Sequence, residues 1–193
     1  DVPLREEADR VLGPTTVARW SYSMSKAIDE HFAFAYAVKG LPVSIVRYFN
    51  SYGPRIDERG YGSVVANFAR QALRGEPITV HGDGRQSRCF TYISDTVAGT
   101  LLAGEREEAI GQAFNIGNPA ETTILDLAQT IKRLAQSASP IELMPYEAYY
   151  GAGFENTRRR VPAVDKATRL LGFSAAVKLD AGLRKTLAWC GTH

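Results

Sequence analysis

Residues 20–50 read WSYSMSKAIDEHFAFAYAVKGLPVSIVRYFN, and this stretch decides the fold class. Its first part predicts a helix over 20–39 that ends at Gly40, because apolar residues recur at the spacing of one helical face. Those residues are Ile28, Phe32, Ala35 and Tyr36. The second part, 41–50, is a nearly continuous, β-branched run typical of a buried parallel strand. A helix joined by a short loop to such a strand is the repeating unit of a doubly wound α/β sheet.

The rest of the chain continues the alternation of helices and strands. A helix is predicted over 63–74, ended by Gly75, and strands over 78–80 and 113–117, with turns at 51–55 and 82–84. Side-chain caps predict the remaining helices. The caps are Ser94-Asp95 for a helix to 103, Thr122 and Thr123 for a helix over 124–134, Asp165 for one to 171 and Asp180 for one to about 189.

The composition indicates one well-packed α/β protein and excludes several classes. The 193 residues are 45% hydrophobic and 23% charged, and 23 basic against 21 acidic residues leave a net charge of +2, which does not suggest nucleic-acid binding. We find no apolar run of roughly 18 residues and no signal-peptide pattern, so we predict a cytoplasmic protein without a membrane span. Cys89, Cys190 and the three histidines show no metal-ligand spacing, so no metal site is predicted.

Tyr22 and Lys26 are the first candidates for chemistry, because a spacing of four residues puts a phenol and an ammonium on one helical face. An ammonium close to a phenol favours the phenolate, and the pair can then act as a general base near neutral pH. The alternative is an exposed Lys one turn after a half-buried Tyr, since such a pair also arises by chance.

Further motifs follow in a fixed order. They are Tyr22-x-x-x-Lys26, RYFNSYGPR at 47–55, GEPITVHGDG at 75–84, RCFTYISD at 88–95 and FNIGN at 114–118. In order and spacing the chain resembles, from about residue 3 to 189, the extended short-chain dehydrogenase/reductases that act on nucleotide sugars. UDP-glucuronate decarboxylases and UDP-uronate or UDP-glucose 4-epimerases are the most similar members.

The resemblance implies the C-terminal portion of a doubly wound Rossmann-like protein with a smaller substrate-binding domain. Residues 1–60 would be the remnant of the NAD-binding Rossmann domain that carries the Tyr-x-x-x-Lys helix. Residues 61–193 would be mainly the nucleotide-sugar domain, with segments that return to the Rossmann sheet. The family's N-terminal βαβ unit with its Gly-rich phosphate loop is not in this sequence. We therefore expect a fragment of a longer enzyme or a truncated relative, inactive and without NAD binding when alone.

The resemblance also assigns roles. Tyr22 would take the proton from the sugar 4-hydroxyl, and Lys26 would assist it and bind the nicotinamide ribose. Further cofactor contacts would come from Tyr48, Ser51 and Arg55. The nucleotide sugar would be bound by Asn50 and by arginines on its diphosphate, which are Arg88 and one of Arg159 and Arg160, the register being open by one residue. Uracil would be held by backbone contacts of the strand 78–80, which includes Thr79 and Val80, with Val64 packed on it. His81 is a further substrate contact. Ala163 departs from the family, which usually has an acidic residue there.

The reaction predicted first is a 4-epimerisation through a 4-keto sugar, with NAD as cofactor. Decarboxylation of a UDP-uronate and 4,6-dehydration are the alternatives within the family, because the residues that decide between them lie outside this sequence. A non-catalytic protein that binds a nucleotide sugar or a partner is the alternative from another class. The resemblance further implies a homodimer through the 20–39 helix, whose outer face would be apolar and exposed in one copy.

Overall fold

The computed structural model describes residues 2–17, 19–57, 63–146 and 157–192. Helix α1 covers Arg19–Val38 and strand β1 covers Ser44–Tyr48, which confirms the predicted helix–strand unit. Gly40 has φ 93°, a left-handed conformation that lets the chain turn sharply after α1. The strand is shorter than 41–50, and it ends before Asn50, whose φ of 40° breaks the extended backbone.

Strand β6, Gln112–Ile116, lies parallel to β1, with Ser44 opposite Gln112 and Tyr48 opposite Ile116. Their carboxyl ends therefore meet at one edge, the position where open α/β sheets bind ligands. Phe114 and Ile116 are buried against helices α3, Ile93–Glu105, and α5, Asp165–Leu171. The residues of β1 are only half-buried or exposed, because β6 is its one paired neighbour in the described ranges. The expectation of a fully buried strand is wrong for this part of the chain.

A second hydrophobic core lies between three further helices and strand β3, Ile78–His81. The helices are α2, Val64–Arg74, α4, Ile124–Leu134, and α6, Leu179–Cys190. Strand β3 is parallel to β8, Ile141–Met144. As predicted, α2 ends at Gly75, which has φ 70°, and its preceding Ser63 Oγ accepts a hydrogen bond from the amide of Ala66 at 3.3 Å.

Several very short strands join the two cores. Strand β2, Ser51–Tyr52, lies parallel to β5, Thr91–Tyr92, so the predicted turn at 51–55 begins as a strand. Strand β4, Ser87–Cys89, lies in the middle of a sheet with β7, Glu121–Thr123, and β9, Arg159–Arg160. Strands of two or three residues are too short for a periodic pattern, so the sequence does not predict them.

The predicted helix caps are partly wrong. Thr123 does cap α4, accepting from the amide of Asp126 at 3.0 Å. The three predicted aspartate caps, Asp95, Asp165 and Asp180, instead lie inside the first turn of their helices. Those helices begin at Ile93, Asp165 and Leu179. Asp95 is buried and instead accepts the amides of Ala176 and Val177, at 3.1 and 3.0 Å. An acidic side chain near a helix start also suits the helix dipole, so the sequence alone does not separate the two positions.

None of the helices in the described ranges is long and apolar enough to cross a membrane. Among the described residues, strand β6 lies beside β1 in one two-stranded sheet. The division at residue 60 stays a prediction.

Candidate active site

Helix α1 presents Tyr22 and Lys26 toward solvent on neighbouring turns. Tyr22 is 70% exposed, and Ser25 Oγ donates to its backbone carbonyl at 2.9 Å. The Lys26 ammonium donates to Asp29 Oδ2 at 2.8 Å, and this hydrogen bond raises the pKa of Lys26 above its ordinary value. The pair thus combines an accessible phenol with a fully charged lysine on one surface.

One turn after Lys26, α1 is fixed to β1 by a half-buried ion pair between Glu30 and Arg47. Both oxygens of Glu30 accept from Arg47, with Nε–Oε1 at 2.9 Å and a second bond to Oε2 at 2.7 Å. Arg10 adds a contact to Oε2 at 2.6 Å, and Arg47 also donates to the Glu6 carbonyl at 3.0 Å. Burial raises the pKa of Glu30, but the two guanidinium groups outweigh it and hold the pKa below its usual range.

Sequence reasoning missed Glu30 as part of this unit. The available signal was its spacing, because Glu30 follows Lys26 by the same four residues that separate Lys26 from Tyr22. Its function in the structure is to orient the helix that carries the candidate base.

Tyr48 and Ser51 do not lie with Tyr22. The Tyr48 hydroxyl is 3.0 Å from Thr100 Oγ1, and Ser51 Oγ is 2.8 Å from Thr96 Oγ1, so both contact α3. Arg47 points to α1, and successive strand residues alternate faces, which puts the Tyr48 ring on the other face of β1. Arg55 lies in the following turn, exposed and with φ 66°.

Asn50 connects the carboxyl end of β1 to strand β4. Its side-chain amide donates to the Cys89 carbonyl at 3.0 Å, and its own carbonyl accepts the Thr91 amide at 3.2 Å. This arrangement brings Asn50 next to Arg88, the neighbour of Cys89 in β4.

Arg88 and Arg160 are register partners across the parallel strands β4 and β9. Partners in a parallel pair extend from the same face, at a spacing close to the inter-strand distance. The Arg160 guanidinium carbon lies 5.4 Å from the centre of the Phe49 ring, beside Asn50. The structure therefore brings together three of the residues predicted to bind the diphosphate.

Arg159 lies on the opposite face of β9. Its Nε donates to Glu121 Oε2 at 3.0 Å, and a second guanidinium N–H contacts Oε1. Ser87 Oγ also donates to Glu121 Oε2, at 2.6 Å. The hydrogen bonds from Arg159 and Ser87 lower the pKa of Glu121 to about 2. The sequence left open which of the two arginines lies beside Arg88. In the structure it is Arg160.

The segment predicted to contact uracil is partly engaged within the protein. The amide of Thr79 donates to Gln71 Oε1 at 3.1 Å, and Gln71 Nε2 donates to Thr79 Oγ1 at 2.8 Å. Val80 is fully buried, and the His81 carbonyl accepts from Gln86 Nε2 at 2.9 Å. Burial lowers the pKa of the His81 imidazole. Val64 begins α2 and packs against the same core.

A cavity of about 290 Å³ lies elsewhere, lined by Phe90, Asn118, Thr122 and the 175–179 segment. It includes none of the predicted site residues. Within the described ranges no group of three or more His, Cys, Asp or Glu side chains could hold a metal ion. Burial raises the pKa of the Cys89 thiol to about 11, so this cysteine is a structural residue.

The parallel β1–β6 pair with its flanking helices defines a Rossmann-like α/β protein of the short-chain dehydrogenase/reductase type. The family model "NAD dependent epimerase/dehydratase family" matches residues 2–117, and the chain belongs to this family. Its relatives are enzymes and the family is NAD dependent, which confirms the predicted enzyme class and cofactor.

Two curated relatives are decarboxylases. The chain is 43% identical over 187 residues to a UDP-N-acetyl-alpha-D-glucosaminuronate decarboxylase of Bacillus cytotoxicus, covering 97% of this chain and 58% of the relative. It is 41% identical over 172 residues to UDP-glucuronic acid decarboxylase 1 of Danio rerio, covering 89% of this chain and 39% of the relative. The chain thus spans about half the length of the curated relatives that it matches.

Solved structures with the same fold include epimerases. A UDP-glucose 4-epimerase of Thermotoga maritima, crystallised with UDP-glucose, has a TM-score of 0.82 at 29% identity, covering 97% of this chain and 59% of that one. A UDP-glucuronic acid 4-epimerase of Bacillus cereus in complex with NAD has a TM-score of 0.81 at 27% identity, covering 98% of this chain and 56% of that one.

Proposed function

We propose that this chain forms the nucleotide-sugar site and supplies the general base of an NAD-dependent decarboxylase that acts on a UDP-uronic acid. The observation that carries the binding part is the placement of Arg88 and Arg160 on one face beside Asn50. The choice of decarboxylase is supported by the 43% and 41% identity to decarboxylases of two UDP-uronic acids.

The arginine pair suits a diphosphate. Guanidinium groups offer forked, charge-assisted donors, and two of them on adjacent strands can each bind one phosphate. The Asn50 amide is close to the same face through its bond to the Cys89 carbonyl. Sugar and reacting atoms would then extend from the diphosphate toward the carboxyl edge of β1 and β6.

The α1 surface suits the nicotinamide end of NAD. A phenol and an ammonium, both accessible, can hydrogen-bond the ribose hydroxyls of the cofactor and the hydroxyl of a sugar. When bound, NAD would accept the hydride from C4 of the sugar and, as NADH, would return it in the final reduction. Tyr22 takes the proton of the 4-hydroxyl, and Lys26 stabilises the phenolate by its positive charge.

The 4-keto uronic acid that results is a β-keto acid and can lose its C6 carboxylate as CO₂, which leaves a C4–C5 enolate that takes a proton from water at C5. Tyr22 then returns its proton to the C4 oxygen when the ketone is reduced. If the sugar turns over in the site before reduction, the carboxylate stays and the 4-epimer forms. The fold shared with 4-epimerases keeps 4-epimerisation, the reaction that the sequence favoured, as the second candidate.

The test is to incubate the chain, together with an NAD-binding domain of its family, with NAD and either UDP-glucuronate or UDP-N-acetylglucosaminuronate, and to follow CO₂ release and the sugar product by NMR. Release of CO₂ with a matching UDP-pentose is the expected result. A 4-epimer that keeps its carboxylate would establish the epimerase instead. Saturable UDP-sugar binding without turnover would favour a non-catalytic nucleotide-sugar protein.

We also propose a homodimer through α1. Its side away from β1 carries a row of exposed apolar residues four positions apart. These are Met24, Ile28, Phe32 and Tyr36. A second copy of the same helix would cover this row by an isologous contact.

A further inference from the structure

The three consecutive arginines of residues 158–160 have three different partners. Arg158 contacts Asp83 at 3.3 Å on the surface, Arg159 is bound by Glu121, and Arg160 lies over the Phe49 ring. We propose that Glu121 is a positioning residue for the diphosphate site: by binding Arg159, it holds β9 against β4 with Arg160 on the same face as Arg88. This inference rests on the proposed nucleotide-sugar function.

Strand β9 depends on side-chain contacts because it is only two residues long. Its pairing is Ser87 with Arg159 and Arg88 with Arg160, and the Ser87 amide donates to the Arg158 carbonyl at 2.9 Å. A strand with so few ladder bonds is weakly specified by its backbone.

Glu121 can fix the register of β9 that the few backbone hydrogen bonds leave weakly determined. It belongs to β7, which pairs with the other edge of β4, opposite Cys89. From there its carboxylate accepts Ser87 Oγ of β4 and two N–H groups of Arg159 in β9. One side chain therefore connects all three strands of the sheet.

The alternation of side chains explains why this contact decides which arginine faces the diphosphate. A shift of β9 by one residue would exchange the faces of Arg159 and Arg160. Glu121 attracts an arginine on its own face and so selects the register in which Arg160 points to the other one. Its carboxylate is ionised at neutral pH, since its pKa is lowered to about 2.

The experiment measures UDP binding to the chain by calorimetry, comparing wild type with Glu121→Gln. Removing a negative charge near the site would by simple electrostatics strengthen the binding of an anion. Positioning predicts the opposite sign, with UDP binding about tenfold weaker, the scale of one lost charge-assisted hydrogen bond. Uridine, which has no phosphate, should bind both proteins equally.

The matched control is Asp83→Asn, which removes the same charge and breaks the bridge to Arg158. It should bind UDP within about twofold of wild type, as expected for an exposed ion pair. The exchanged pair Glu121→Arg with Arg159→Glu should recover most of the lost affinity. Faster hydrogen exchange of the Ser87 amide in Glu121→Gln would report the loosened strand independently of any ligand.

The outcomes are distinct. Equal or tighter UDP binding by Glu121→Gln, with Arg160→Gln still weakened, overturns the positioning role and leaves the proposed function intact. A wild-type chain that fails to bind UDP contradicts the proposed nucleotide-sugar function, and this inference with it.

Discussion

Arg88 and Arg160 lie opposite each other across strands β4 and β9, with their side chains on the same face. Like charges at directly opposite strand positions are unfavourable by themselves, so the arrangement favours an anion that both side chains can bind. Arg159, the other arginine that the sequence allowed at the diphosphate, forms an ion pair with Glu121 on the other face. The positive charge of the site is therefore set by strand register as much as by composition.

The first prediction concerns this pair. Arg88→Gln and Arg160→Gln should each weaken UDP binding by about 1.5–3 kcal/mol, the range for a hydrogen bond to a charged group. Calorimetry with UDP measures the effect, and the loss should shrink at high salt because part of it is unscreened charge.

Arg133→Gln is the control for the first prediction. It removes an equal charge from the exposed ion pair between Arg133 of α4 and Asp180 of α6. Its UDP affinity should stay near that of wild type. Equal losses in all the variants would mean that general charge, and not this pair, governs binding.

Elements with local sequence signals could be predicted from the sequence, and elements formed by contacts between distant residues could not. The helix–strand unit of α1 and β1 was predictable because its apolar spacing and Gly40 are local signals. Strand β9 was not, since two consecutive arginines become a strand only through pairing with β4. The candidate base was found from spacing, whereas the Glu30–Arg47 anchor involves residues seventeen positions apart that meet through tertiary packing.

The second prediction separates chemistry from binding. Tyr22→Phe removes one hydroxyl from an exposed ring, so the fold should be unchanged. Turnover should fall by roughly 10²–10⁴-fold, the usual contribution of a general acid–base group, while UDP affinity stays the same. Tyr36→Phe, also exposed on α1, is the matched control and should keep full activity. Wild-type turnover by Tyr22→Phe would exclude Tyr22 as the base.

The third prediction concerns the anchor of α1. Glu30→Gln leaves the two half-buried arginines without their carboxylate, so the free energy of unfolding should fall by about 1.5–3 kcal/mol, the range for a hydrogen bond to a charged group. Urea or thermal unfolding measures this. Asp29→Asn, which breaks the exposed bridge to Lys26, is the control and should change stability by less than about 1 kcal/mol.

The same variant has a defined pH dependence. The pKa of Glu30 is lower in the folded protein than its ordinary value of 4.5, so its contribution is present above that value. It is lost as pH falls through the lowered folded pKa, because protonation removes the charge that the arginines bind. The stability difference between wild type and Glu30→Gln should therefore be constant near neutral pH and shrink at acidic pH. A difference that grows on acidification would contradict the anchor.

The last prediction tests the outer face of α1. Phe32 is 62% exposed in the middle of its apolar row, on the side of α1 away from the Glu30–Arg47 contact. If a second copy covers the row, light scattering should give about twice the chain mass of 21.1 kDa, and Phe32→Glu should give a single chain. Two buried carboxylates facing each other across a two-fold axis are strongly unfavourable, which is why one substitution suffices. Val38→Glu adds the same charge at the end of the helix, off this row, and should leave the mass unchanged. A wild-type protein that stays monomeric at high concentration would assign the apolar row to another occupant, and then Phe32→Glu should alter solubility without altering mass.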